Sequence, residues 1–297
     1  GLSTTLVARA QIATVDGRET ASLPTRAALQ PEWVAEDALL YADDPSGRWL
    51  LHRVELDGIT PRGPAEVIAP ADADTGYGLW VLGNRWFQLL ADGRIVAIRT
   101  NGRDRIVAID VDGEIRELDV PCDGHVSVDD VSGSRVLVSG NGSRVSPGVW
   151  CVDLDSGEVT AVRGGERVDP EWMPAAQQID IEGAHGPVHA FAYAPANPEV
   201  SAPDDELPPY VVLVHGGPTA HVTGAASAAI AFYTSRGIGV LDVNYGGSTG
   251  YGRAYRERLH SQWGVVDVDD VIAAAKALAD VGLADPARIA IRGGSAG

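Results

Sequence analysis

The sequence is poor in several things, and each shortage closes off a class of protein. It holds two cysteines, one methionine and three phenylalanines in 297 residues, and Lys276 is its only lysine. Cys122 and Cys151 lie too far apart for a metal-ligand pair and are too few for a disulfide framework. Two buried free thiols in a cytoplasmic protein are the expectation. No HExxH and no paired CxxC occurs, so no metal site and no cofactor is expected. No uninterrupted apolar run approaches the 18 or so residues of a membrane span, and no basic segment leads into an apolar run and a cleavage site. The chain begins at Gly1 without an initiator Met, so the natural start is expected to lie upstream.

Cationic charge is scarce too. Against 41 acidic residues stand 23 basic ones, for a net charge of -18. Nucleic acid is therefore excluded as a partner, because phosphate binding needs clustered Lys and Arg. The acids are spread along the chain and imply a solvated surface.

Apolar residues nevertheless make up 45% of the chain, enough for a sizeable core. Three stretches share one pattern: "ALLYADDPSGRWLLHRVELDG" (38–58), "RIVAIRTNGRDRIVAIDVDG" (94–113) and "RVLVSGNGSRVSPGVWCVDLDSG" (135–157). Each is an alternating strand, a polar turn and a second strand ending near Asp-Gly or Asp-Ser-Gly. Glycine tolerates the positive φ of tight hairpins. The copies recur at intervals of about 40 to 55 residues, which suits propeller blades. Short strands are expected between them, at Leu79–Leu82 and Trp86–Leu90. A β-sandwich is the alternative. Three blades are too few to close a ring.

Beyond about residue 165 the texture changes. "PANPEVSAPDDELPP" is an exposed loop. After Pro209 strands and helices alternate: a strand in "YVVLVHGG", a helix ending at Gly237, a strand in "IGVLDVNYGG", a helix in "VDVDDVIAAAKALADVG", and a third buried strand in "RIAIRGG". That order implies a parallel α/β sheet. Asp267, Asp269 and Asp270 suit a helix start.

The chemistry sits in "GGSAG", residues 293–297. This is a G-x-S-x-G directly after a buried strand, where a nucleophile elbow belongs. A phosphate-binding turn fits poorly, for want of GxGxxG or a Walker lysine. Upstream, "VHGGPTAH" offers a glycine-rich loop after another strand. Its Gly217 (or Gly216) and the residue after the nucleophile, Ala296, are the candidate oxyanion donors. His215 props the loop and is not the base, because triads on this fold run Ser, then acid, then His. All seven histidines precede Ser295, and only Ala296 and Gly297 follow it.

Together "HGGPTAH", "DVNYGGSTGYGRAYRERLHSQWGVVDVDDVIAAAKAL" and "DPARIAIRGGSAG" resemble the catalytic domain of the prolyl oligopeptidase family, in its acylaminoacyl-peptidase and dipeptidyl-aminopeptidase branch. The resemblance implies a partial β-propeller over residues 1–168 and, over 169–297, the first part of an α/β-hydrolase domain cut at its elbow. It implies a serine peptidase acting on short oligopeptides, with Ser295 as nucleophile and 244–252 lining the site. Many relatives carry Arg where this chain has Gly246. With triad Asp and His missing, the chain is expected to be an inactive fragment. An esterase or lipase, and a non-catalytic propeller scaffold, are the competing readings. Assembly into a homo-oligomer stays open.

Overall fold

The computed structural model describes residues 9–13, 20–58 and 60–297. The first eight residues of the expected propeller segment lie outside the described residues. A two-stranded hairpin, Arg9–Ala13 with Thr20–Pro24, comes first. Three antiparallel sheets follow. The first runs Leu29–Ala35, Ala38–Asp43, Leu50–Asp57, with Glu66–Ile68 and Thr60–Pro61 both pairing the last of these. The second is Phe87–Leu89, Ile95–Asn101, Arg103–Ile109 and Ile115–Glu117. The third is Gly124–Ser132, Arg135–Asn141, Gly148–Asp153 and Val159–Gly164. Each sheet holds one of the three repeated hairpins as an adjacent pair of strands.

Strand periodicity explains how the sheets stack. Alternate residues point to opposite faces. In the second sheet Val96, Ile98, Ile106 and Ala108 pack on Val128, Val136 and Val138 of the third. Their neighbours Ala97, Val107 and Ile109 pack the other way, on Leu40 and Leu51 of the first. The middle sheet is therefore buried on both faces. Each buried Val, Leu or Ile among them contributes about 1.5–3 kcal/mol. The sheets stack face to face without closing a ring among the described residues.

One sequence expectation fails here and another holds in shortened form. Leu79–Leu82 forms no strand; it lies in a loop with all four side chains exposed. Trp86–Leu90 contracts to Phe87–Leu89. Of the two free thiols, Cys122 is buried, which pushes its pKa up to about 12, while Cys151 is only half-buried.

Residues 177–293 build a mixed five-stranded sheet. Its order is Gln177–Gly183, Gly186–Tyr193, Gly239–Asn244, Tyr210–Val214, Ile289–Gly293. The first two junctions are antiparallel and the last two parallel. Helix Val266–Asp280 covers one face through Val271, Ala274 and Leu278. Helix Ala228–Thr234 covers the other through Ile230 and opens on the Ser227 hydroxyl, which accepts from Ala229 N–H. The Ile289–Gly293 strand departs from expectation. Its sequence suits a strand buried on both faces, yet it occupies a sheet edge, paired only with Tyr210–Val214 among the described residues, and Ile291 is 68% exposed. No helix of the described residues is long and apolar enough to cross a membrane.

Candidate active site

The two parallel junctions set three chain exits side by side. Val214 pairs with Val243 on one flank and Gly293 on the other, so all three strands leave the sheet at one level. Three glycine-bearing loops start there: 215–221, 245–252 and 294–297.

The last loop holds Ser295, whose φ of 58° lies in the left-handed region that side chains seldom adopt. The flanking glycines have steric reasons. A Cβ on Gly293 would stand 2.4 Å from the carbonyl carbon of Gly297, and one on Gly297 would stand 2.1 Å from Val214 O. Gly297 N–H donates to Gly294 O at 3.0 Å and closes the turn. The 215–217 loop presses on the elbow, since a Cβ on Gly216 would come within 3.0 Å of Ser295 Cβ. Gly217 has a φ of 122°, open to glycine. Ser295 itself is exposed.

His215 does not face the serine. Its Nδ1 bonds Gly216 O at 2.7 Å and its Nε2 meets Ser248 Oγ at 2.8 Å. The ring stacks on Tyr245 at 4.6 Å between centroids. Tyr245 Oη–H in turn donates to His215 O at 2.8 Å. Burial lowers the His215 pKa to about 4, so the ring is neutral near pH 7. The loop-propping role read from the sequence matches this geometry. No hydrogen bond joins Ser295 Oγ to any histidine among the described residues.

A second set of ties binds the first loop to the 245–252 loop. The Asn244 amide donates to Val222 O at 2.8 Å and to Tyr251 Oη at 3.0 Å, while its Oδ1 accepts from Val222 N–H at 2.8 Å. Thr249 N–H donates to Ala220 O at 3.0 Å. Asp270 joins from the long helix. It is fully buried and its Oδ2 accepts from Gly246 N–H at 2.8 Å. Burial raises its pKa, against the pull of that N–H and of Arg258. Asp270 is thus more than a helix-start charge. Asp267 and Asp269 do occupy the first turn.

Gly246 is explained as well. A Cβ there would meet Val266 at 2.8 Å, Asp270 at 2.9 Å and Arg258 at 3.0 Å. Any side chain at 246 would thus crowd Val266, Asp270 and the Arg258 stem from its first carbon. That guanidinium lies over Tyr255, 4.2 Å from the ring centroid, and donates to Pro187 O at 2.6 Å.

The far end of the 245–252 loop is gripped from the segment that joins the first two antiparallel sheets. Asp74, with no exposed surface, accepts from Gly252 N–H and Trp49 N–H, each at 2.9 Å, and pairs with Arg48 at 3.2 Å. No spacing or motif in the sequence announces that contact. The signal for Ser248 and Tyr245 was present in the glycine-rich "NYGGSTGYG", which marks a close-packed loop without saying which side chains lock it. No cluster of three or more His, Cys, Asp or Glu side chains among the described residues is arranged to hold a metal ion.

Comparison with known proteins bears on this geometry. The profile of the prolyl oligopeptidase family matches residues 225–297. The acylamino-acid-releasing enzyme of Arabidopsis thaliana is 34% identical over 116 residues, covering 39% of this chain and 15% of that protein. Dipeptidyl aminopeptidase BIII of Pseudoxanthomonas mexicana is 31% identical over 133 residues, 45% of this chain and 19% of that protein. A solved puromycin-hydrolyzing peptidase of Mycobacterium tuberculosis superposes with a TM-score of 0.88 at 42% identity, covering 97% of this chain and 44% of that one. The chain thus spans under a fifth of these curated relatives and less than half of the solved peptidase.

Proposed function

We propose that Ser295 of this prolyl oligopeptidase family chain is the nucleophile of a serine peptidase that cleaves short peptides. The observation that carries the reading is the left-handed Ser295 at the end of a parallel strand, pressed against the Gly216–Gly217 loop. In the proposed reaction Ser295 Oγ bonds to the peptide carbonyl carbon as a base takes its proton. The oxyanion is received by Gly217 N–H and Ala296 N–H. The C–N bond then breaks, the amine leaves with the proton, and water repeats the sequence on the acyl-enzyme.

His215 is engaged elsewhere, so we assign the base and its acid to sequence outside these 297 residues. The isolated chain is then essentially inactive, because a serine hydroxyl without a base is a weak nucleophile at neutral pH. We also read residues 1–168 as consecutive blades of a partial propeller and 169–297 as the first part of an α/β-hydrolase domain. The face-to-face stacking of three hairpin-bearing sheets supports the first assignment. The mixed strand order and the unpaired edge at Ile289–Gly293 support the second. Release of acylated residues or dipeptides is the proposed specificity, with puromycin, hydrolysed by the Mycobacterium tuberculosis relative, as a further candidate.

A fluorophosphonate probe tests this. The full-length protein is expected to be labelled at Ser295, and Ser295→Ala to lose the label. An unlabelled full-length protein overturns the peptidase reading, and stoichiometric labelling of the isolated 297-residue chain overturns its inactivity. Faster turnover of short acyl esters than of peptidyl anilides would favour an esterase.

A further inference from the structure

The loop where a strand was expected, residues 75–84, carries the uncharged sequence "TGYGLWVLGN" in a chain of net charge -18. Its base is fixed. The Tyr77 ring sits edge-on to Trp86 at 5.2 Å and to His221 at 6.1 Å between centroids. Gly78 packs so closely on Thr219 that a Cβ would lie 2.8 Å from its carbonyl oxygen. Trp80 Nε1–H donates to that same oxygen at 2.9 Å. Thr219 follows Gly216 and Gly217 in the loop pressed against Ser295. Beyond this anchored base the tip holds Leu79, Trp80, Val81 and Leu82 out to solvent, Leu82 at 90% exposure. Four consecutive exposed apolar side chains run against ordinary surface patterning unless they serve a contact.

We infer that the 79–82 tip is an apolar wall of the substrate site, selecting peptides with a large aliphatic or aromatic side chain beside the scissile bond. The occupant is substrate because the wall is tied by hydrogen bond to the loop beside the nucleophile. Its lack of charge, in a protein otherwise strongly acidic, suits a neutral apolar group. The Trp80 indole serves both needs, its N–H holding the loop and its ring adding apolar area. This inference rests on the serine peptidase reading above.

The test uses the full-length protein and two anilide series, dipeptidyl anilides with a free amine and acetyl-aminoacyl anilides. Each residue before the scissile bond is varied among Phe, Leu, Ala and Ser. Wild type is expected to prefer Phe or Leu over Ser in kcat/KM at one position. Trp80→Ala and, independently, Leu82→Ser at the 90%-exposed tip are expected to cut that ratio about tenfold. Ratios are compared, so a general loss of folded protein does not imitate the result. A wild type without preference, or ratios unchanged in both variants, overturns the inference. A wild type that cleaves none of the anilides overturns the peptidase reading itself, a result read before any variant is made.

Discussion

Single residues at the elbow have little freedom. Gly297 is fixed by the Val214 carbonyl, 2.1 Å from where a Cβ would sit. Backbone must move to admit even alanine. Gly297→Ala in the full-length protein is expected to lower the thermal midpoint and to slow fluorophosphonate labelling at least tenfold. Asp270 is constrained by hydrogen bonding. Asp270→Ala leaves Gly246 N–H without its partner and is expected to cost about 1–3 kcal/mol in chemical denaturation. Asp270→Asn keeps an acceptor oxygen and should cost less.

At the scale of elements, the central strands carry two groups whose burial works in opposite directions with pH. Asp242 faces the side of the sheet covered by the Ala228–Thr234 helix, on the same face as Val240. Burial raises its pKa from 3.8 to about 7. The folded state therefore holds a proton that the unfolded chain releases, and the Asp242 contribution to stability is lost as pH rises from 3.8 to about 7. His215, at the exit of the neighbouring strand, is lowered from 6.5 to about 4. There the unfolded chain binds the proton first, so stability is lost as pH falls from 6.5 towards 4. Each slope is at most about 1.4 kcal/mol per pH unit. Asp242→Asn is expected to stabilise the protein at pH 8 and to leave it nearly unchanged at pH 3.5. His215→Gln should flatten the acid side instead. Denaturation midpoints across pH separate the two.

For the whole molecule, the joint between the first antiparallel sheet and the 245–259 segment is ionic and largely buried. Arg256 is buried, pairs with fully buried Asp44, and lies 3.8 Å above the Trp49 ring. Arg253 reaches Asp44 O at 2.6 Å, and Asp74 caps Gly252 N–H close by. Removing one partner of a buried pair strands the other. Arg256→Met is expected to cost about 3–5 kcal/mol. Asp44→Asn combined with Arg256→Met should cost less than the two single changes added together. Additive costs in that double-mutant cycle would show that the pair does not couple the sheet to the segment.

What the sequence determined by itself was everything carried by local pattern. The alternation in 38–58, 94–113 and 135–157 dictated hairpins, since a period of two leaves one face apolar. The GGSAG segment after an apolar strand dictated a tight, glycine-flanked turn around Ser295. Tertiary structure decided what depends on neighbours distant in the chain. Leu79–Leu82 looks like a strand because it is apolar, yet strands need partners and none among the described residues pairs with it; Thr219, well over a hundred positions away, holds the loop instead. Asp270 sits among helix-start acids in the sequence, and only the packing of its helix on the 245–252 loop turns it into a buried acceptor. Asp74 reaches Gly252 across 178 positions of chain. Local periodicity records which way a side chain points along its own element, and the fold alone supplies what it meets there.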